Sequence, residues 1–203
     1  MASRPIFVPN IDDMVVEEVK VNFRWHSGMS KTQKRKNVAS LHEEAAKLGL
    51  KNILEVSTKS PNALGQSLSA MNLLLYINGV AVPLECAFQG SKVFEYGGPY
   101  VELFHRSPLE AKRDPRLSTS GKLIGFRFRG LTWELEPKSA FYDWLYLQAL
   151  QQNRDLADQL LKYEGFTDIE YNPKKSYSTQ ARSCALYVCL RKMDCNIEQL
   201  IAN

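Results

Sequence analysis

Histidine is scarce in this chain. His26, His42 and His105 are the only three in 203 residues, too few and too scattered for a histidine-centred site or for the paired spacing of a zinc centre. No Cys-x-x-Cys occurs among Cys86, Cys184, Cys189 and Cys195, which argues against structural zinc and against a disulfide framework. The last three thiols crowd a C-terminal apolar segment, where cysteine serves as a small hydrophobe. A glycine-rich dinucleotide loop, a P-loop and a Gly-x-Ser-x-Gly elbow are all missing, so the common cofactor and hydrolase mechanisms have no anchor. No acidic cluster has ligand spacing, and no metal is expected. No run approaches the roughly 20 apolar residues of a membrane span, and Met1-Ala2-Ser3-Arg4-Pro5 opens without a secretory apolar region. The expectation is a cytoplasmic protein with reduced thiols and no membrane partner.

What remains is an ordinary globular composition, 44% hydrophobic and 24% charged, in a chain long enough for a substantial core. The net charge of +4 is mildly basic. It is compatible with a phosphate-bearing ligand or nucleic acid but falls short of a dedicated nucleic-acid binder.

Periodicity sets out the elements. Residues 15–23 alternate in their second half as a half-buried strand does. Ser30 opens a helix that runs to Leu48 and stops at Gly49, with Leu41, Ala45 and Leu48 on one face; Lys31, Lys34, Arg35 and Lys36 crowd its start as a solvated charge run. Residues 52–57 read as a short strand and 65–73 as a helix. Asn78-Gly79 between apolar runs predicts a hairpin with a type I′ turn. Pro108 starts a short helix that Pro115 ends, 123–130 alternates as a strand, and 140–149 is an aromatic helix. A helix over 155–161 follows, then an alternating strand over 167–171 that sets Asp168 and Glu170 apart from Ile169. Residues 172–175 read as a loop, 185–190 as a buried strand and 197–201 as a tail helix. The fold class expected is α+β: a single compact domain, mainly helical with a small sheet.

The hairpin delivers the chain into Val82-Pro83-Leu84-Glu85-Cys86-Ala87-Phe88-Gln89-Gly90-Ser91-Lys92. With Pro83 in a first helical turn, Glu85, Gln89 and Lys92 fall at i, i+4 and i+7 on one stripe. Burying an acid, an amide and an amine without partners costs roughly 2–7 kcal/mol per group, so the stripe either faces water or lines a site. The residues alone leave that choice open, as they do for the acids on the 167–171 strand.

Residues 83–92 resemble the signature helix of the NADAR superfamily, the YbiA-like proteins, with its pattern Glu-x-x-Phe-Gln-x-x-Lys after a strand pair. Ala111-Lys112-Arg113, the aromatic helix at 142–150 with Gln151-Gln152-Asn153, and Leu160-Leu161 through Asp168-Ile169-Glu170 resemble later family elements in the right order. The resemblance covers about residues 55–192, which places an N-terminal extension at 1–50 before a NADAR-like domain at 51–203. Glu136-Pro137-Lys138 and Phe141-Tyr142-Asp143-Trp144 look most like the branch found beside DarT-type DNA ADP-ribosyltransferase toxins. One departure stands out: where YbiA-like members carry Asp-x-x-Trp-Gly after the strand glutamate, this chain reads Asn172-Pro173-Lys174-Lys175-Ser176-Tyr177.

The resemblance implies an ADP-ribosyl glycohydrolase that frees guanine bases in DNA, with ADP-ribosylated DNA and a cognate DarT-type toxin as partners. It implies no cofactor, ADP-ribose being part of substrate and product. N-glycosidic cleavage passes through an oxocarbenium-like state that carboxylates stabilise, and a desolvated lysine can attack a sugar aldehyde carbon. On this reading Lys92 is the nucleophile or electrostatic group, Glu85 positions and deprotonates it, and Glu170 or Asp168 does the acid and base work. Gln89 orients a ribose hydroxyl beside Phe88, Lys112 and Arg113 take the diphosphate, and Trp144, Tyr142 and Phe94 are candidates to stack on adenine. Two rivals stand beside it. One is an N-glycosidase of a small ribosylated metabolite, as in YbiA-like members acting on riboflavin intermediates. The other is a non-catalytic antitoxin that binds its toxin through the start of the 30–48 helix and the aromatic 141–147 segment.

Overall fold

The computed structural model describes residues 1–13, 15–172, 176 and 179–202. In chain order it opens with β1 (Ala2–Asn10), β2 (Val15–Phe23), α1 (Lys31–Lys47), β3 (Ile53–Glu55) and α2 (Ala63–Ser67). There follow β4 (Leu74–Ile77), β5 (Val80–Pro83), α3 (Leu84–Gly90), β6 (Lys92–Phe94), a 3-10 turn (Val101–His105), α4 (Pro108–Lys112) and α5 (Arg116–Thr119). Next come β7 (Leu123–Phe128), β8 (Leu131–Trp133), α6 (Ala140–Gln152), α7 (Arg154–Ala157), a second 3-10 turn (Asp158–Lys162), β9 (Gly165–Thr167), α8 (Gln180–Lys192) and α9 (Ile197–Ala202). The class is α+β, as expected. The chain forms two units, Met1–Ser69 with Asn153–Asn203, and Ala70–Gln152. No helix among the described residues is long and apolar enough to cross a membrane.

The first unit is built on a sheet in the order β2-β1-β9-β3. β1 and β2 form a long antiparallel ribbon, β9 meets β1 at Phe7↔Phe166, and β3 runs parallel to β9. α1 begins where the sequence places it: the Ser30 hydroxyl accepts from the Gln33 N–H at 3.2 Å, satisfying one of the donors a helix start leaves open. Val38, Leu41 and Ala45 of α1 pack with Ile6, Val21 and Phe23 of the ribbon.

Two expected strands fail in this unit. Residues 185–190 lie inside α8, not in a strand. The run Ala-Leu-Tyr-Val-Cys-Leu is apolar without a period, and such a run is ambiguous between buried strand and buried helix; the helix buries Ala181, Cys184, Ala185 and Val188 at helical spacing. The strand expected at 167–171 ends at Thr167, and 168–171 turn back with the Tyr171 N–H on the Asp168 carbonyl at 3.1 Å. Asp168 and Ile169 are therefore both buried while Glu170 is exposed. Of the expected 172–175 loop, residues 173–175 lie outside the described residues, as does Tyr177.

In the second unit the β4–β5 hairpin has Asn78 at φ 50° and Gly79 at φ 81°, the pair of positive angles that a type I′ turn requires. The helix expected over 65–73 stops early, as α2 of the first unit. The carbonyls of Ala70 and Leu73 instead accept the Glu85 and Leu84 N–H groups, both at 2.9 Å, and so anchor the start of α3. α3 is also shorter than expected. Pro83 is its N-cap, it ends at Gly90, and Lys92 begins β6. A Cβ at Gly90 would lie 2.6 Å from the Phe104 ring, and the Ser91 carbonyl takes the Arg127 N–H at 2.8 Å, so the chain passes directly into the β6-β7-β8 sheet. That sheet ends in β8, a strand for which periodicity gave no signal. α6 is buried nearly all round: Phe141, Tyr142, Trp144, Leu145, Tyr146 and Leu150 all lie inside.

Candidate functional site

The Glu85–Gln89–Lys92 set lies wholly within the second unit, although on two elements rather than one helical stripe. Glu85, in the first turn of α3, is 6% exposed. Its Oε1 accepts from Gln89 Nε2 at 2.9 Å and lies 3.7 Å from the Lys112 ammonium on α4. Gln89 is 7% exposed, and its Oε1 is buried with no hydrogen-bond partner. Buried acceptors are almost always satisfied; this one, on the residue whose amide nitrogen donates to the Glu85 carboxylate, is not.

Lys92 emerges from β6, half-buried, with Nζ 4.9 Å from the centre of the Phe88 ring. Burial pushes its ammonium below the ordinary lysine range; Glu85 opposes that shift and Lys112 adds to it. Phe88 stacks on Phe126 at 5.5 Å and meets Tyr142 edge-on at 4.9 Å, which fixes the ring under the amine. Close packing of glycine holds this strand in place: a Cβ at Gly98 would lie 2.2 Å from the Lys92 carbonyl oxygen. Cys86, beside Glu85, gives its thiol to the Arg106 carbonyl at 3.2 Å and is pushed up to about 11 by burial, so it stays a thiol.

Arg113 lines a cleft of about 400 Å³ with Arg106, Leu109, Asp114, Arg116 and Glu102. Arg116 is committed there: it grips Asp114 through two 2.9 Å contacts, pairs with Glu102, and lies 4.2 Å from the centre of the Tyr100 ring. Arg113 is exposed and forms no salt bridge among the described residues. Trp144 is enclosed by Phe128, Trp133 and Phe141, with ring centres 5.0–6.2 Å apart. Trp144, Tyr142 and Phe94 are all buried in the free chain.

Asp168 and Glu170 belong to the first unit. Glu170 pairs with Lys34 of α1 at 3.0 Å. Lys34, expected on a solvated face, is 8% exposed and lies 5.4 Å over the Trp25 ring. Asp168 accepts from the Glu170 N–H at 3.0 Å and from the Thr179 hydroxyl at 3.1 Å. Burial, with the nearby Glu55 carboxyl, pushes it up to about 7.

Sequence reasoning missed Glu55. It stands on β3, 1% exposed, and accepts from the Ser57 hydroxyl at 2.6 Å, the Thr167 hydroxyl at 2.8 Å and the Ile169 N–H at 2.9 Å. Burial raises its carboxyl above the ordinary range. The available signal was a lone acid inside Ile53-Leu54-Glu55-Val56, an otherwise apolar run. Among the described residues no group of three or more His, Cys, Asp or Glu side chains could hold a metal ion.

No curated protein matches the chain. A family description does, over residues 2–203: "DarT1-associated NADAR antitoxin". That match spans the N-terminal ribbon and α1 as well as the segment that carries the signature residues. The chain therefore belongs to the DarT1-associated NADAR antitoxin family.

Proposed function

We propose that this antitoxin is an ADP-ribosyl glycohydrolase that removes ADP-ribose from guanine bases in DNA and so reverses the work of a DarT-type toxin. The observation that carries the reading is Lys92, a half-buried amine held over Phe88 and set in the same unit as the buried Glu85 and the open acceptor of Gln89. A lysine with a lowered proton affinity keeps more free amine at neutral pH, which is the form that attacks carbon.

In the reaction the ribose opens first: the bond from C1 to the ring oxygen breaks as that oxygen takes a proton, and C1 becomes an imine of the base nitrogen. Lys92 Nζ adds to C1 and Glu85 receives the proton that Nζ sheds; the bond from C1 to the base then breaks as the base takes a proton, which leaves C1 held as the Lys92 imine. Water adds to C1, the C–N bond to Lys92 breaks, and ADP-ribose leaves with the amine restored. Gln89 Oε1 accepts from a ribose hydroxyl, while Lys112 and Arg113 supply charge to the diphosphate. The resemblance implies Glu170 or Asp168 for the acid and base work, and separate variants at each test that role.

The test is incubation with single-stranded DNA ADP-ribosylated on guanine, in parallel with thymine-modified DNA and modified protein, following release by mass spectrometry. Guanine-selective release, lost in Lys92→Ala, supports the reading, as does a cyanoborohydride-trapped adduct at Lys92. Full activity in both Lys92→Ala and Glu170→Ala overturns the residue assignment. No release from any of the three substrates overturns the activity and redirects attention to a small ribosylated metabolite.

A further inference from the structure

Glu55 is satisfied in an informative way. One of its three partners, the Thr167 hydroxyl, is itself 2.9 Å from Nε2 of His42 on α1, and a hydroxyl has a single proton to give. The chain His42 Nε2, Thr167 Oγ1, Glu55 Oε2 therefore has two orientations. With Glu55 ionised, Thr167 donates to Oε2 and the His42 Nε2–H donates to Thr167. With Oε2 protonated, Glu55 donates to Thr167, the hydroxyl turns to Nε2, and the ring proton sits on Nδ1. Every atom of the chain is bonded in both, so the proton on Glu55 and the tautomer of His42 are locked together.

We infer that His42, Thr167 and Glu55 form a proton relay between solvent and the interior of the first unit, and that Glu55 is a positioning residue governing the charge on Asp168. Inward transfer balances without any redox partner. A proton binds His42 Nδ1, the Nε2–H bond breaks as Thr167 Oγ1 takes that proton, and Thr167 passes its own to Glu55 Oε2. His42 is half-buried, so part of the residue meets solvent while Nε2 meets Thr167; burial pushes it down to about 4, which keeps the ring neutral and able to exist as either tautomer.

The coupling to Asp168 is geometric. Glu55 holds the side chain of Thr167 and the N–H of Ile169, the residues on either side of Asp168. Both carboxyls are buried, and charge on Glu55 disfavours charge on Asp168. The other groups around Asp168 are Glu170 and Tyr171 in its own turn, Thr179 at the start of α8, Arg182 on α8 acting on Tyr171, and Lys34 on α1, which Glu170 engages. The relay needs no substrate; its consequence for turnover rests on the reading of Asp168 as an acid–base group.

The experiment is NMR titration of the full chain, with ¹⁵N-labelled histidine and ¹³C-labelled carboxyls, for the wild type, Glu55→Gln and Thr167→Val. In the wild type His42 is expected to switch from Nδ1–H to Nε2–H as Glu55 loses its proton. In Glu55→Gln the new amide donates to Thr167 at every pH, so His42 stays Nδ1–H, and the Asp168 midpoint falls by about one pH unit or more. Thr167→Val breaks the link: the His42 tautomer no longer follows Glu55 and Asp168 still does. If Glu55→Gln does not fold, the wild type and Thr167→Val still decide the relay. A His42 tautomer that ignores the Glu55 titration in the wild type overturns the relay, and an unmoved Asp168 midpoint in Glu55→Gln overturns the positioning role. A wild type that titrates as expected but releases no ADP-ribose leaves the relay standing and overturns the glycohydrolase reading instead.

Discussion

Replacing Gly98 by alanine tests whether the backbone around Lys92 is set by close packing. Gly98 has φ +86°, and an added Cβ would lie 2.2 Å from the Lys92 carbonyl oxygen and 3.3 Å from Cα of Val93. An ordinary close carbon–oxygen approach is about 3.3 Å, so β6 must give by roughly 1 Å. Both obstacles are backbone, with no side chain free to swing away. Gly79 is the matched control: its φ is +81° and nothing lies within 4 Å of an added Cβ. Alanine at Gly79 therefore meets only the left-handed backbone cost of about 1–2 kcal/mol. Alanine at Gly98 meets that cost and the displacement of β6, about 2–4 kcal/mol in total.

Because Lys92 is the first residue of β6, the same shift moves its amine, and a misplacement of about 1 Å at a reacting group can cost on the order of 10²-fold in rate. Urea unfolding of the wild type and both variants measures the first quantity. The initial rate of ADP-ribose release from modified DNA measures the second. Equal stability losses at the two glycines would refute the packing argument, whatever the rates. A Gly98→Ala protein with wild-type turnover would show that the position of Lys92 does not matter to the reaction.

Two further outcomes follow from the electrostatics. The Lys112 ammonium disfavours charge on Lys92, so Lys112→Met should raise the proton affinity of Lys92 and move the alkaline-rising limb of kcat to higher pH, read from a profile between roughly pH 6 and 10; a limb that stays or moves down removes Lys112 from this role. Asp168 is raised from 3.8 to about 7 in the folded chain, so its proton stabilises the fold fully below the lower value, and that contribution is lost as pH rises through the upper one. The unfolding free energy of the wild type minus that of Asp168→Asn should fall by up to about 1.4 kcal/mol per pH unit across that window and level off above it; a difference that is flat with pH contradicts the raised affinity.

Local rules were legible wherever one residue type has one use. Ser30 caps α1 because a hydroxyl there meets an open N–H, and Asn78-Gly79 turns the hairpin because few residues accept two positive φ angles in succession. Glu85, Gln89 and Lys92 were legible as a set through the resemblance of residues 83–92 to the signature helix, since spacing alone left open whether they face water. Their arrangement was not. The end of α3 at Gly90 depends on the ring of Phe104 and on the pairing of Ser91 with Arg127, which are 14 and 36 residues on in sequence.

The same limit explains the remaining misses. Residues 185–190 are apolar at every position, so periodicity cannot choose between strand and helix, and packing over the β1–β9 sheet decided for α8. Glu55 reads as one acid in a strand until Thr167 and Ile169, more than a hundred residues later, bring it the donors it needs. The sequence by itself determined the α+β class, the caps, the turns and the identity of the signature residues, because those depend on neighbours a few residues apart. Only the tertiary structure decided which carboxyls are buried together, which amine lies over an aromatic ring and which amide oxygen is left open, because desolvation and hydrogen bonding are set by residues that only folding brings into contact.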